Sequence, residues 1–329
     1  MPLNSLFQAF KSKTPAPAHR TRVAVIGAGR MGQFHIKALS RMASTELVAI
    51  ADVSGDRIDA LARKHRVQAV VDLKTLLPTI DAAIIAAPTP AHHTIGKTLL
   101  QAGISCLIEK PFTETLEQAE ELIDLAKKKN CVLQVGHIER FNPAVIEAAR
   151  HIQEPQFIEV NRLGPYDPRV AHIGVVMDLM IHDLDIVLFL VGRPITRVEA
   201  FGAKVLSAHE DIAKVRLHFE GGCIADLSAS RISLKKYRRI RIFQKNAYLS
   251  LDYAASKLQV YRKKKDIVTS LTDISILSPK LSKKDPLTLE LEHYIQCVEE
   301  KRKPLVAGEH GRDALRLAQD VLRQLKIHA

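Results

Sequence analysis

No stretch of this 329-residue sequence approaches the ~18 consecutive apolar residues of a membrane-spanning helix; the run Ile186–Val191 is far too short. The four cysteines, Cys106, Cys131, Cys223 and Cys297, form no CxxC pair and no zinc-ligand spacing. That excludes a cysteine-built zinc site, and no metal is expected. Cys106 and Cys131 lie in apolar, strand-like runs, which suits free thiols in a reducing compartment. Residues 1–20 hold no apolar core of signal-peptide length and read as a tail, so the expectation is a cytoplasmic protein. Internal repeats and helix-turn-helix signatures are absent as well, which leaves no motif for nucleic-acid recognition.

A hydrophobic share of 47% and a charged share of 26% mark an ordinary globular protein and exclude extended disorder. The length suggests about two domains. The net charge of +12 is regional: residues 231–284 carry 15 Lys or Arg against three acids, and the remainder is neutral. Arg239 and Arg241 alternate with Ile240 and Ile242, which puts both bases on one face of a strand. They read either as a solvated sheet face or as a surface that attracts an anionic substrate.

From residue 21 to about 141, continuous apolar strands alternate with amphipathic helices. Strands are expected at 22–26, 46–51, 68–71, 81–87, 105–108 and 131–135, and helices at 30–43, 55–65, 91–102 and 115–129. That pattern predicts a doubly wound parallel sheet covered on both faces. A change of texture follows. Helices are expected at 142–152 and 174–191, strands at 156–161, 197–205, 212–219, 222–230, 237–244, 247–252 and 257–261, and helices at 286–301 and 308–326. The second domain, 142–329, is therefore expected to be α+β with a large, mostly antiparallel open sheet.

Chemistry concentrates in four places. Gly27-Ala28-Gly29-Arg30-Met31-Gly32 follows a strand and opens a helix. Gly27 permits the tight turn, Gly29 lets backbone approach a pyrophosphate, and Gly32 lets helix pack on strand. Asp52 ends the next strand, where a carboxylate would bond an adenosine ribose and repel a 2′-phosphate. That favours NAD over NADP, although Arg57 one turn later could soften the preference. Glu109-Lys110-Pro111 follows the strand ending at Ile108, where ligands sit in open α/β sheets. Lys110 reads either as a loop lysine or as a donor to a substrate hydroxyl. His137, Arg140 and Asn142 follow the last parallel strand; His137 could equally be a capping or core histidine. Asp178, His182 and Asp185 share one face of an otherwise apolar helix. Burying such groups is costly unless they are paired or functional. His182 has the pKa range of a general base, with Asp178 one turn away to orient it.

The glycine loop, Glu109-Lys110-Pro111 and Asp178-x-x-x-His182, in this order, resemble the Gfo/Idh/MocA family of oxidoreductases. The resemblance spans about residues 21–329. It implies an NAD(P)-dependent enzyme acting on CH–OH groups, with Lys110, Asp178 and His182 catalytic. It further implies cofactor contacts from Gly27, Gly29, Arg30, Met31, Gly32 and Asp52, and from Ala87, Thr89, His92, Glu109 and Lys110. Substrate contacts would come from His137, Arg140, Asn142 and His182. Gly136–Ala144, Asp178–Asp185, Ser230–Ser233, Arg239–Tyr253 and Pro286–His293 resemble a bacterial subgroup that includes the UDP-N-acetylglucosamine 3-dehydrogenases. The family resemblance implies a homodimer or homotetramer built through the open sheet, and the narrower likeness a nucleotide-sugar substrate and an aminotransferase acting on the product in lipid A synthesis. Other sugars, sugar acids, inositols, or a non-catalytic NAD-binding regulator are the alternatives.

Overall fold

The computed structural model describes residues 20–327. The expected tail, residues 1–20, lies outside them except for Arg20. The described chain forms two compact units, residues 20–138 with 285–315, and residues 139–284 with 316–327.

The first unit begins with β1 (Thr21–Ile26), α1 (Arg30–Leu39), β2 (Thr45–Ala51), α2 (Gly55–His65) and β3 (Gln68–Val70). It continues through β4 (Ala82–Ile85), α3 (Thr89–Gln101), β5 (Ser105–Glu109), α4 (Leu116–Lys129) and β6 (Leu133–Gly136). The six strands are parallel, in the order β3-β2-β1-β4-β5-β6. Strands buried on both faces must be apolar throughout, and Ala82, Ala83, Ile84 and Ile85 are all fully buried. Strand order reverses between β1 and β4, which opens a crevice at their carboxyl ends. This is a Rossmann fold.

The second unit contains α5 (Pro143–Ala149), β7 (Pro155–Leu163), α6 (Ile181–Val191), β8 (Ile195–Ala203), β9 (Ile212–Phe219), β10 (Ile224–Ser230), β11 (Tyr237–Gln244), β12 (Ala247–Asp252), β13 (Lys257–Lys263) and β14 (Ile274–Leu277). The chain then forms α7 (Pro286–Glu300) in the first unit, α8 (Gly308–Gln324), and β15 (Leu325–Ile327). Nine strands form one sheet, β14-β13-β12-β11-β7-β10-β9-β8-β15. It is antiparallel except at β7–β10 and β8–β15. Period-two alternation buries one face, including Ile158, Val160, Leu227, Ile240, Ile242, Leu249 and Leu251.

The expected second domain, 142–329, is not one packing unit. Leu291, Tyr294 and Ile295 of α7 join Val23, Ile36, Ile50 and Ile84 in the first unit's core, and the Tyr294 hydroxyl donates to the Ala83 carbonyl at 3.3 Å. The apolar stripe of α7 thus covers the parallel sheet. The edge strands β14 and β15, of four and three residues, are too short to show a period in the sequence. The helix expected over 30–43 stops at Leu39. The helix expected over 174–191 is broken in character: Val176–Met180 is a π-turn ahead of α6.

Candidate active site

In the first unit the expected cofactor residues lie on the carboxyl edge of the parallel sheet. Gly27 has φ +99°, and a Cβ there would meet the Ala86 carbonyl oxygen at 2.5 Å. A Cβ on Gly32 would lie 1.8 Å from the Gly27 oxygen. A Cβ on Gly29 would meet nothing within 4 Å. Two glycines are therefore demanded by packing. The third keeps open space at the start of α1, whose N-cap carries no side-chain cap. Uncapped amides beside open backbone suit a pyrophosphate. Arg30 and Met31 are exposed there.

Asp52 follows β2. Its Oδ2 accepts from the Ala28 amide at 2.8 Å and its Oδ1 from the Ser54 amide at 3.0 Å. Arg57 Nη1 stands 3.5 Å from Oδ2. Burial opposes ionisation of Asp52, but the two amides and Arg57 outweigh it and hold the carboxyl below its usual range. The residues present thus fit an adenine dinucleotide.

Ala87 and Thr89 flank the start of α3 and are half-buried. His92 is 1% exposed. Its Nε2 lies 2.8 Å from the Ala87 oxygen and its Nδ1 3.0 Å from the Pro111 oxygen. Expected as a cofactor contact, His92 is placed as a tie between the loops after β4 and β5. Glu109 ends β5, and a cis peptide joins the half-buried Lys110 to Pro111. Glu109 is buried; its Oε1 meets His35 Nε2 at 2.7 Å and its Oε2 accepts from the Lys110 amide at 3.3 Å. Burial works against its charge, and His35 and Lys110 overcome it, so its pKa falls. His137 is buried at the end of β6. His35 and Glu290 also belong to this interior. Both were missed because each stands alone in an ordinary helical stripe.

In the second unit, Gly174 leads into the π-turn. Glu210 occupies the space its Cβ would need, and Glu210 Oε1 accepts from the Val176 amide at 3.1 Å. The turn places Asp178 and His182 half-buried. A π-turn adds a residue per turn, so α-helical spacing does not carry across it, and such turns recur at functional sites. Asp185 does not share the role of the other two. It is fully buried and takes Arg140 through Nε to Oδ2 at 2.7 Å and Nη2 to Oδ1 at 2.6 Å. Arg140, expected to line the substrate, is thereby a buried brace. Asn142, expected beside it, caps α5: its Oδ1 accepts from Ala144 at 3.0 Å and its Nδ2 donates to Glu139 at 3.3 Å. Both placements have one cause, since polar groups buried against a helical layer take structural bonds.

Residues 21–137 match the oxidoreductase family described as having an NAD-binding Rossmann fold, and residues 151–250 match the GFO/IDH/MocA C-terminal domain. The chain belongs to the Gfo/Idh/MocA oxidoreductases. Among relatives of this Gfo/Idh/MocA chain is the UDP-N-acetylglucosamine 3-dehydrogenase of Acidithiobacillus ferrooxidans, 34% identical over 305 residues, covering 91% of this chain and 96% of that one. Its solved structure superposes with a TM-score of 0.88 over 93% of this chain and 98% of that chain. The myo-inositol 2-dehydrogenase of Thermotoga maritima is 26% identical, covering 93% and 96%. The chain is a dehydrogenase of this family. Among the described residues no helix is long and apolar enough to cross a membrane.

Proposed function

We propose that the protein is an NAD-dependent dehydrogenase of a nucleotide sugar, oxidising the C3 hydroxyl of UDP-N-acetylglucosamine to the 3-keto sugar. One observation carries the reading: the end-to-end likeness to the Acidithiobacillus ferrooxidans enzyme, at 34% identity, with Lys110, Asp178 and His182 all present. The nicotinamide cofactor, when bound, accepts hydride from the carbinol carbon. His182 takes the hydroxyl proton as general base. Lys110 donates a hydrogen bond to the same oxygen and stabilises its developing charge. Asp178 positions and tunes these groups. His137 contributes to the substrate contacts. The Asp52 carboxylate, fixed by the Ala28 and Ser54 amides, supports NAD over NADP.

The proposed assembly is a homodimer or homotetramer through the open face of the nine-stranded sheet. An aromatic ladder supports it: Phe157, Phe243, Tyr248 and Tyr261 lie in sequence across four strands, with ring centroids 5.8, 4.9 and 5.3 Å apart. A ketone product suits an aminotransferase as the next enzyme. Lipid A synthesis in the cytoplasm is the proposed setting.

The test is purified protein with NAD and UDP-N-acetylglucosamine, read as cofactor reduction, with an aminotransferase added to pull the equilibrium. Lys110→Met and His182→Asn should abolish turnover; full activity in either overturns the assignment. The inositol dehydrogenases among the relatives make free inositols the competing substrates, and turnover of these alone would replace the nucleotide-sugar reading.

A further inference from the structure

Within the basic stretch of residues 231–284, the three arginines of β11 divide between the two faces of the strand. Arg239 donates to Asp252 at 3.3 Å and Arg241 to Glu159 at 3.3 Å. Both lie on the open face, opposite the fully buried Ile240 and Ile242. These two arginines are therefore neutralised by partners on neighbouring strands, β12 and β7. The same alternation sends Arg238 to the other face, alongside Ile240.

On that face Arg238 lies opposite Arg162 in the register of β11 and β7. Four charged side chains act electrostatically on Arg238: Arg162, Glu139, Asp183 and, most weakly, Asp178. Arg162 is satisfied, with two bonds to Asp183 and one to Glu139 at 3.0 Å. Arg238 is not. Its Nη1 approaches Glu139 Oε1 only to 3.9 Å, and that oxygen already holds Arg162. The Arg238 guanidinium makes no hydrogen bond among the described residues, and its side chain remains 38% exposed. Lys235 and Lys236, exposed and without an acidic partner among the described residues, precede it in the chain. Below it, the Tyr253 amide donates to the Arg238 carbonyl at 3.1 Å, while the buried Tyr253 hydroxyl has no partner. The start of β11 thus presents one half-sunk guanidinium without a hydrogen bond among the described residues, within electrostatic reach of Asp178 and preceded by two exposed lysines.

We infer that Arg238 is the substrate-anchoring cation of this unit, engaging a phosphate oxygen of a nucleotide-diphosphate substrate held next to Asp178. The inference rests on the nucleotide-sugar reading above. A guanidinium offers a planar fork of donors that matches two phosphate oxygens, which an ammonium cannot copy. Lys235 and Lys236 add a field that attracts the same anion, while Arg238 supplies the directional contact.

The experiment measures UDP binding by calorimetry, without turnover, together with KM for UDP-N-acetylglucosamine and for NAD. Arg238→Gln should weaken UDP binding and raise the sugar-nucleotide KM about tenfold, the scale of a lost charge-assisted bond, with KM for NAD unchanged. Arg238→Lys should fall between the two. Arg241→Gln, on the opposite face, should leave all three constants alone. Retained NAD affinity shows that each variant is folded. A wild-type enzyme that turns over the nucleotide sugar, with an Arg238→Gln variant that binds UDP equally well, overturns this inference alone. A wild-type enzyme that neither binds UDP nor turns over the nucleotide sugar overturns the underlying reading as well.

Discussion

Arg162 grips Asp183 in the interior of the second unit, Nε to Oδ2 at 2.7 Å and Nη2 to Oδ1 at 2.8 Å, and both side chains are almost completely buried. Burial works against the guanidinium's charge, but Asp183 and Glu139 override it and Arg162 holds its proton more tightly than a free arginine. The Tyr253 ring lies 5.5 Å from the guanidinium carbon. Cutting such a pair on one side leaves an uncompensated buried charge, at about 3–5 kcal/mol. Arg162→Met should therefore lower the urea midpoint sharply. Arg162→Met with Asp183→Leu should recover a large part of the loss, because the stranded carboxylate is gone. A double variant no more stable than the single would show that the pair does not act as a unit.

The parallel sheet was legible because strands buried on both faces must be apolar from end to end, as Ala82–Ile85 are. The glycine loop was legible because Gly27 and Gly32 answer steric demands that no other residue meets. Asp178 and His182 stood out as ionisable groups in an apolar helix. The same signal drew in Asp185, which serves Arg140, because a salt bridge between distant segments leaves no local trace. Arg238 was hidden for a related reason. Alternation puts Arg238 on the face of Ile240 and Ile242, but only the register with β7 shows that it lies opposite Arg162, with Glu139 already holding that partner. The π-turn at Val176–Met180 has no periodic signature at five residues.

Glu290 is fully buried in the first unit with neither carboxyl oxygen bonded. Burial, and then the charge on Glu109, push its pKa far up, while Glu109 keeps its charge against His35. The pair thus holds one proton, on Glu290. A carboxyl that stays protonated in the fold but ionises in the unfolded chain favours unfolding as pH rises above its unfolded pKa. Glu290→Gln cannot ionise. It should gain stability over wild type at pH 8 and lose that advantage at pH 4, in urea titrations at both values. A gain that is the same at both pH values would refute the shared proton.

His293 behaves oppositely to an exposed histidine. Its Nε2 accepts from the Leu305 amide at 2.9 Å. Burial, aided by Arg302, pulls its pKa to about 3. The unfolded chain binds a proton near the ordinary histidine value of 6.5, while the folded one does not until far lower. Stability should therefore fall as pH drops through that window, by about 1.4 kcal/mol per unit at its steepest. His293→Gln should flatten the dependence between pH 6.5 and 4, measured by urea unfolding. An unchanged slope would mean that His293 is protonated in the fold.

The proposed preference for NAD rests on Asp52, with Arg57 Nη1 3.5 Å from its Oδ2. On that proposal the carboxylate faces a 2′-phosphate with like charge, and discrimination against NADP should hold while Asp52 is ionised. Its depressed pKa keeps it so throughout the working range. Asp52→Asn keeps an acceptor for the Ala28 amide but removes the charge and releases Arg57. The ratio of kcat/KM for NAD to that for NADP should drop by about tenfold or more, the scale of one charge-assisted bond. Arg57→Gln on the Asp52→Asn background should then withdraw the gain for NADP while leaving NAD use unaltered, since the freed guanidinium is what pairs with the added phosphate. If the ratio stays the same in both variants, the preference is set elsewhere along the cofactor.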